Sequence, residues 1–403
     1  MYNFRTRTQR KELLDENFDK DSDCEQQSNT DSEQDVSDAN AVVNARASES
    51  RKRKTSTDLN ESSSKSRRGG RPSTKLYGKN RFAWETKSAE RRSDRVTANE
   101  VPYEASLADD AVNLDSLEDF WDLLFNQEII EIIVNNTNEK IEEVCASLVA
   151  EESRPTTITL TLLKLELTSV SYTMLAYGRL AMDNNMLWDK KNGIYFYRSV
   201  FPRMRFEFLQ SCLRFDTKEN RDPDDRFSPI RNIWSIFINN CTKYYYPSSK
   251  CTVDEQLLGF RGRCVFRMYI KSKPDKYGLK LLTLNDASTA YLIHAIPYLG
   301  KNATISNPQK LPSGEYFFEA VTAPIHGTNR SVTCDNWFTT VPLLTRMLDE
   351  PFKMFLTGTI RKNKREIPLE MKVASKNPLE TKFCHTKNIT LLSYTPKKNK
   401  IVY

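Results

Sequence analysis

The sequence predicts a mixed α+β or α/β fold in which a disordered N-terminal tail precedes an α-helical region and then a mixed β-sheet. Three changes along the 403 residues indicate this organisation. The chain is polar and poor in aromatic side chains up to about Lys75, and apolar residues recur at helical spacing from Asp115. After Lys250, β-branched and apolar residues instead form short runs that are typical of strands. With 38% hydrophobic residues, the chain beyond the tail can bury one or two sizeable cores.

Residues 1–75 are predicted to be unfolded, because they cannot bury enough apolar surface to offset the entropy of ordering. Acidic residues dominate 15–38 and basic residues dominate 51–81, a block asymmetry typical of tails that carry interaction segments. Residues 67–72 are a candidate arm for the DNA minor groove, and a merely solvating basic tail is the alternative. A linker is predicted at 76–114. The candidate nuclear-import residues are Arg51, Lys52, Arg53 and Lys54.

Three helices are predicted in the α-helical region, residues 115–250. The first runs from Asp115 to about Asn136, behind an Asp-x-x-Glu capping pattern. Pro202 and Pro229 each suit the first position of a helix and mark the other two. The inward-facing residues predicted for the helix at Pro202 are Met204, Phe208, Leu209, Cys212 and Phe215.

Five strands and a helix are predicted in the last part of the chain, residues 251–403. Three strands follow one another at 252–258, 277–284 and 291–298, with a turn at 285–288. A fourth strand at 331–334, a helix at 341–348 and a fifth strand at 355–360 complete the pattern.

Composition excludes several classes of protein. No stretch approaches the roughly 20 apolar residues of a membrane span, and the start of the chain has no apolar signal core, so a soluble intracellular protein is expected. The eight cysteines are scattered without a Cys-x-x-Cys pair, which predicts reduced, mostly buried thiols. The formal charge of +7 is a modest argument for a nucleic-acid partner.

Asp254 and Asp335 each stand where a β-branched run ends, on the first and fourth predicted strands. Mg²⁺ prefers oxygen ligands and is usually held by one or two carboxylates together with a substrate phosphate. Two carboxylates at neighbouring strand ends could therefore hold divalent metal ions for phosphoryl transfer. The alternative for each aspartate is a strand-end cap or an ion-pair partner. Glu255 is predicted to point to the opposite face of its strand.

The sequence segments around these two aspartates are distinctive. Residues 254–264 read Asp-Glu-Gln-Leu-Leu-Gly-Phe-Arg-Gly-Arg-Cys, residues 333–338 read Thr-Cys-Asp-Asn-Trp-Phe, and residues 363–368 read Asn-Lys-Arg-Glu-Ile-Pro. In this order the segments resemble the piggyBac family of cut-and-paste DNA transposases, and the resemblance runs from about Tyr77 to the last residue. It implies an RNase H-like catalytic core and a helix at 157–174, although that segment alternates like a strand.

The resemblance also implies a chemistry and partners. Asp254 and Asp335 would be the catalytic and metal-binding residues of a two-metal site for Mg²⁺ or Mn²⁺. The expected reaction is cleavage of transposon ends through a hairpin intermediate and joining at TTAA sites, in the nucleus, with DNA as partner and a homodimer possible. The alternative is a domesticated, transposase-derived nuclear protein that binds DNA or chromatin without catalysis.

The family's site includes a third aspartate, and its C-terminal part carries a zinc-binding module, neither of which is found before Tyr403. The expectation is therefore a fragment of a longer reading frame or a decayed copy, with little activity. Glu370, after the fifth predicted strand, is the candidate substitute for the third carboxylate, and the alternative is an ordinary surface acid.

Basic residues are the candidate DNA contacts, with affinity expected to fall steeply as salt rises. Aromatic residues among them could stack on bases, and core packing is the alternative. Candidates near the predicted active face are Arg261, Arg263, Arg267, Lys271, Lys273, Lys276, Arg361, Lys362, Lys364 and Arg365. The resemblance adds helical candidates, for which simple solubility is the alternative: Arg203, Arg205, Arg214, Arg221 and Arg231.

Overall fold

The computed structural model describes residues 75–87, 102–150, 184–200, 202–300 and 307–403. The described residues fall into two compact units, Leu257–Leu279 and the described parts of Ser73–Gln256 with Lys280–Tyr403. The predictions for the N-terminal tail, including the candidate nuclear-import residues, and for the helix at 157–174 lie outside the described residues. No helix in the described ranges is both long and apolar enough to cross a membrane.

Helices occupy the part of the chain before Lys250. They are α1 (Leu117–Leu124), α2 (Gln127–Ala150), α3 (Asn184–Leu187), α4 (Tyr195–Val200), α5 (Arg203–Cys212) and α6 (Ser228–Lys243). One apolar cluster joins α2, α5 and α6, with Ile129, Ile141, Phe206 and Ile233 among its buried members. The three predicted helical stretches are thus confirmed as helix, and the division of the chain into a helical region and a core remains a prediction.

The first predicted helix is two helices, with a break at Phe125 and Asn126. The Asn126 side chain accepts a hydrogen bond from the main-chain N–H of Ile129 at 3.1 Å, which caps the start of α2. The cap of α1 is Ser116, whose hydroxyl accepts a bond from Asp119 N, so the capping pattern begins one residue later than predicted. Local side-chain caps explain the break, which apolar spacing does not reveal.

Met204 was predicted to face inward, and this is wrong. Its side chain is 61% exposed, whereas Phe206 is 1% exposed and fills the core position. Pro202 is the residue that precedes α5, and the buried face of that helix runs through Phe206, Leu209 and Cys212 at three-residue steps.

The central sheet contains the predicted strands in a mixed arrangement. Its strands are β5 (Lys250–Gly259), β6 (Met268–Tyr269), β7 (Tyr277–Asp286), β8 (Leu292–Pro297), β9 (Ser331–Cys334) and β10 (Phe355–Gly358). The order is β10-β9-β5-β7-β6, and β8 also pairs with β7. β7 and β8 are antiparallel, while β5, β9 and β10 are parallel neighbours. The mixed α+β fold class predicted from the sequence is confirmed.

Two helices flank the central sheet, α7 (Ser313–Thr322) and α8 (Val341–Met347). Phe317 and Phe318 of α7 and Leu343 of α8 are buried in one core with Val253 of β5 and Val332 of β9. Burial on this side fixes the register of the strands, because a shift of one residue would turn the core side chains to the opposite face.

A second, antiparallel sheet forms from both ends of the described chain. Its order is β1 (Lys75–Tyr77), β2 (Ala83–Glu85), β11 (Glu380–His385), β12 (Thr390–Lys397) and β13 (Lys400–Val402). A short antiparallel pair, β3 (Ser106–Leu107) with β4 (Tyr245–Tyr246), lies elsewhere. Residues 76–114, predicted as a linker, thus supply strands to two sheets. For the strands at 75–85 the reason is Trp84, which is fully buried and donates its indole N–H to Glu366 O at 2.8 Å.

Cysteines behave as core residues. In the described part of the chain none forms a disulfide, and all but the half-buried Cys264 are buried. Burial raises the pKa of Cys251 and of Cys384 to about 12 and that of Cys241 to about 11, so these thiols stay protonated. The prediction of reduced, mostly buried thiols is confirmed for these residues.

Asp286 closes the turn between β7 and β8 as a buried carboxylate. It accepts hydrogen bonds from Ser288 N at 2.7 Å, from Ser288 Oγ at 2.6 Å and from Ser248 Oγ at 3.1 Å. Burial disfavours its charged form, but the hydrogen bonds from Ser288 and Ser248 outweigh that effect and lower its pKa to about 2. The carboxylate at the end of β7 is therefore hydrogen-bonded to Ser248, which lies just before the start of β5.

Stability is expected to fall between about pH 4 and pH 2. A lowered pKa in the folded state contributes stability above the unfolded pKa and loses it as pH falls through the folded value. One pKa unit is about 1.4 kcal/mol, so Asp286 contributes roughly 2 kcal/mol. Urea unfolding across this range should show the loss, and Asp286→Asn should remove that part of the pH dependence. The exposed Asp122 of α1 is the matched control, since Asp122→Asn should leave the pH profile unchanged.

Candidate active site

The register of the central sheet brings Asp254 and Asp335 together. In the parallel pair of β5 and β9, Thr252 lies opposite Thr333 and Val253 opposite Cys334. Asp254 is the next residue of β5 and Asp335 directly follows the last residue of β9, so the register makes their main chains neighbours at roughly the 4.8 Å spacing of paired strands. Both side chains are exposed, while the preceding Val253 and Cys334 are buried on the core side. The two carboxylates therefore share one solvent-facing side of the sheet.

Asp254 is oriented from its own strand. Its Oδ1 accepts a hydrogen bond from the main-chain N–H of Glu255 at 2.7 Å, and its carbonyl accepts one from Thr283 Oγ1 at 3.4 Å. The Glu255 side chain instead forms an ion pair with the buried Lys280. Side chains alternate along a strand, and this contact places Glu255 away from the carboxylate pair.

Asp335 begins a tight turn that leads into α8. Its carbonyl accepts hydrogen bonds from Phe338 N at 3.1 Å, Thr339 N at 3.2 Å and Thr339 Oγ1 at 3.0 Å. The preceding Cys334 is buried on the core side of the sheet, away from the exposed carboxylates, and burial raises the pKa of its thiol to about 11. The turn holds the main chain of Asp335 while its side chain stays exposed.

Thr359 is a site residue that sequence reasoning did not single out for a role. Its hydroxyl donates to Asp335 Oδ1 at 3.1 Å. The register explains the contact, because Gly358 lies opposite Cys334 in the parallel pair of β9 and β10, and Thr359 follows as Asp335 does. The sequence did contain a signal for Thr359, namely the Gly358-Thr359 pair that precedes the Asn-Lys-Arg-Glu-Ile-Pro segment.

Thr359→Val should weaken binding of Mn²⁺ to the pair, because valine keeps the shape of threonine and removes the donor that orients Asp335. A hydrogen bond to a charged group contributes up to about 1.5–3 kcal/mol, and exposure reduces this, so we expect a roughly three- to tenfold higher Kd. Titration of free Mn²⁺ by electron paramagnetic resonance measures this, and Thr359→Ser should stay close to the unchanged protein. Equal affinity for Val and Ser would exclude the orienting role.

The donor set fits a hard divalent cation in part. Neither Asp254 nor Asp335 forms an ion pair within the described residues, so both carboxylates are available to a metal ion. One or two carboxylates plus substrate phosphate is the usual protein contribution to an Mg²⁺ site. No group of three His, Cys, Asp or Glu side chains that could hold a metal ion occurs among the described residues.

Glu370 is not brought to the pair. It lies in a short 3-10 helix, Leu369–Lys372, where its carbonyl accepts a hydrogen bond from Lys382 of β11 at 3.4 Å. Its charge contributes to raising the pKa of Cys384, the buried thiol on the same strand. Since no group of three potential metal ligands occurs among the described residues, the structure gives no support to Glu370 as the third carboxylate, and that role stays a prediction.

The basic arm, Leu257–Leu279, is the unit that carries the first group of candidate DNA contacts. It contains six cationic side chains and one carboxylate, that of Asp275. Arg267 is built into the arm, since its guanidinium donates to the carbonyls of Arg261 and Gly262 and lies over the Tyr277 ring at 5.2 Å. The other candidates in this arm that are exposed are Arg261, Arg263, Lys271 and Lys276, with Lys273 half-buried.

Arg361, Lys362, Lys364 and Arg365 follow β10. Arg361 donates from Nε to Asn336 Oδ1 at 3.0 Å, which places its guanidinium beside the residue that follows Asp335. Lys362 and Arg365 are exposed, and Lys364 is half-buried. Of this group, the structure brings Arg361 to the candidate site.

The helical arginines are engaged inside the protein. Arg221 pairs with Asp216 through two hydrogen bonds at 2.7 and 2.9 Å, and Arg231 pairs with Asp225. Arg214 donates to main-chain carbonyls at the end of α5. These contacts favour the structural alternative over phosphate binding for Arg214, Arg221 and Arg231.

Comparisons with known proteins agree with this arrangement. The family model for Transposase IS4 matches residues 118–403. PiggyBac transposable element-derived protein 3 of Homo sapiens is 28% identical over 197 residues, which are 47% of this chain and 32% of that protein. The Chimeric ERCC6-PGBD3 protein of Homo sapiens is also 28% identical over 197 residues, covering 47% of this chain and 18% of its own.

A solved structure is similar as well. The cryo-EM structure of a piggyBac transposase synaptic complex with hairpin DNA superposes with a TM-score of 0.67 and 38% identity. The match covers 74% of this chain and 62% of that one. This chain thus spans about a third of the first curated relative and less than two thirds of the solved transposase chain. It belongs to the Transposase IS4 family and is of the piggyBac type.

Proposed function

We propose that this chain acts on DNA as a piggyBac-type transposase that cuts strands with the help of divalent metal ions and joins them at TTAA sites in the nucleus. The observation that carries the proposal is the register of β5 and β9, which makes Asp254 and Asp335 neighbours on one exposed side of the sheet. Carboxylates in ion pairs would serve the fold, whereas an adjacent pair of like charges without ion-pair partners costs stability and suits a cation.

Asp254 and Asp335 would hold Mg²⁺ or Mn²⁺. Such ions activate water as a nucleophile and stabilise the leaving oxygen of a phosphodiester. The chain's own contribution is positioning. The Glu255 amide orients the Asp254 carboxylate, and the Thr359 hydroxyl orients that of Asp335.

DNA is the proposed substrate, and two features support it. The basic arm concentrates cationic side chains with little acidic compensation, which is the electrostatic pattern of phosphate binding. The similar solved piggyBac transposase is in a synaptic complex with hairpin DNA. A homodimer that pairs two transposon ends is part of the proposal.

The test is a nicking assay on supercoiled plasmid that carries TTAA-flanked transposon ends. We expect slow nicking that requires Mn²⁺ or Mg²⁺ and stops with EDTA. Binding of the chain to the same DNA, measured at increasing salt concentration, should weaken steeply, as counterion release requires.

A second candidate is a transposase-derived DNA- or chromatin-binding protein without catalysis. The absence of a third metal-ligating side chain beside the pair, within the described residues, favours it. Salt-dependent DNA binding with no metal-dependent nicking, and with no effect of neutralising Asp254, would support this candidate over the first.

A further inference from the structure

Lys280 is a buried cation on the strand next to β5, on the side of β5 away from β9. It lies on β7 and is 8% exposed. Its ammonium forms an ion pair with Glu255, lies 4.5 Å from the centre of the Trp337 ring and 5.3 Å from that of Tyr298. A buried ammonium is costly unless it is paired, so these partners fix where the side chain can be.

One partner of Lys280 leads to Asp254. The main-chain N–H of Glu255 donates to Asp254 Oδ1 at 2.7 Å. Because Lys280 holds the side chain of Glu255, it restrains the peptide that orients the Asp254 carboxylate.

The other partner leads to Asp335. Trp337 stands two residues after Asp335, in the turn that is closed by the bond from Phe338 N to Asp335 O. The Trp337 ring also packs against Tyr298 and Phe317. The main-chain carbonyl oxygen of Trp337 lies so close to Gly314, at the start of α7, that there is no room for a side chain at that position. The ring is therefore a rigid surface for the ammonium, and cation–π contact of this kind strengthens away from water.

We propose that Lys280 is a positioning residue that fixes Asp254 of β5 and Asp335, directly after β9, relative to each other, so that both carboxylates can hold one metal centre. This inference rests on the proposed metal-binding function of the pair. Lys280 acts through Glu255 and Trp337 and touches neither carboxylate in this arrangement.

Charge and position predict opposite results when Lys280 is neutralised, which makes the proposal testable. A lysine that acted only as a nearby positive charge would oppose cation binding, so Lys280→Met would bind Mn²⁺ more tightly. If Lys280 instead positions the two carboxylates, Lys280→Met should bind Mn²⁺ more weakly. We expect the Kd of the full chain for Mn²⁺, measured by electron paramagnetic resonance of free Mn²⁺, to rise about tenfold in Lys280→Met.

Three further variants make the test specific. Glu255→Gln should weaken Mn²⁺ binding to a similar extent. The Lys280→Met/Glu255→Gln double variant should bind Mn²⁺ no more weakly than either single variant, because each single change already removes the same ion pair. Lys280→Arg keeps the charge and the contact with the aromatic rings, and should bind within about threefold of the unchanged protein. Lys250→Met, an exposed lysine at the start of the same β5 strand, is the matched control and should change nothing.

The outcomes separate this inference from the proposed function. If the unchanged chain binds no Mn²⁺ through Asp254 and Asp335, as judged with Asp254→Asn and Asp335→Asn, the proposed function fails. If it does bind, and Lys280→Met binds equally well or more tightly, the positioning role is wrong. Should Lys280→Met not fold by circular dichroism, Glu255→Gln alone decides, because Glu255 is half-buried and its amide analogue is nearly isosteric.

Discussion

Asp335→Asn is expected to reduce metal-dependent DNA nicking by at least about a hundredfold, and Asp254→Asn should do the same. Lewis-acid stabilisation by a metal ion is worth several kcal/mol, and each 1.4 kcal/mol of barrier is a factor of ten in rate. The measurement is the initial rate of plasmid nicking in Mn²⁺ at saturating protein.

Stability distinguishes this effect from unfolding. Both side chains are exposed and sit beside each other, so neutralising one removes a repulsion and should leave the melting temperature in EDTA unchanged or slightly higher. Bound metal should raise the melting temperature of the unchanged chain and not that of either variant, by the ordinary linkage of binding to folding. Asp349→Asn, an exposed acid after α8, should retain full nicking. Nicking that survives both aspartate changes would place the chemistry elsewhere.

Gly358→Ala is expected to destabilise the protein strongly for a change of one methyl group. A β-carbon at Gly358 would meet Thr339 Oγ1 and would lie 2.7 Å from the carbonyl oxygen of Cys334. Thr339 is buried and bonded to Asp335 O and to Cys334 Sγ, so it cannot move without disturbing the turn that carries Asp335. Overpacking of this kind costs about 1–3 kcal/mol, and the backbone contact puts this site at the upper end.

The loss should appear in urea unfolding as a lower midpoint with an unchanged slope. The same variant should bind Mn²⁺ more weakly even when it is fully folded, because β10 must move away from β9 and carries Thr359 with it. Thr357→Ala, an exposed position on the same strand, is the control and should change stability by less than about 0.5 kcal/mol. A Gly358→Ala protein as stable as the unchanged chain would show that β9 and β10 are not packed as closely as described.

The strands and the candidate pair could be predicted because their signals are local. Short β-branched runs bounded by turns predicted the strand at Ser331–Cys334 to the residue and the other four predicted strands within a few residues, whereas β6 and β11 to β13 were not predicted. The aspartates were found because each ends such a run within a specific segment of sequence. The family resemblance implied their adjacency, which depends on the parallel pairing of β5 and β9, and strand periodicity by itself does not specify that pairing.

Other features depend on contacts between distant segments. Trp84 fills a core that also contains Ile367 and Cys384, and the strands at 75–85 form only because β11 is there to pair with β2. Thr359 and Lys280 likewise gain their roles from neighbours across the sheet, at Asp335 and at Glu255 and Trp337. The surroundings of Glu370 could not be predicted for the same reason, because its distance along the chain from Asp335 does not specify that its segment contacts Lys382 and Cys384 of β11.

Anomalous diffraction from crystals of the chain soaked in Mn²⁺ would show whether Asp254 and Asp335 bind the same divalent metal centre, as we propose. We expect an anomalous peak within about 2.5 Å of a carboxylate oxygen of both aspartates, close to the oxygen distances of hard divalent ions. A peak bound by only one of them, or Mn²⁺ ordered only at other acids of the chain, would contradict it.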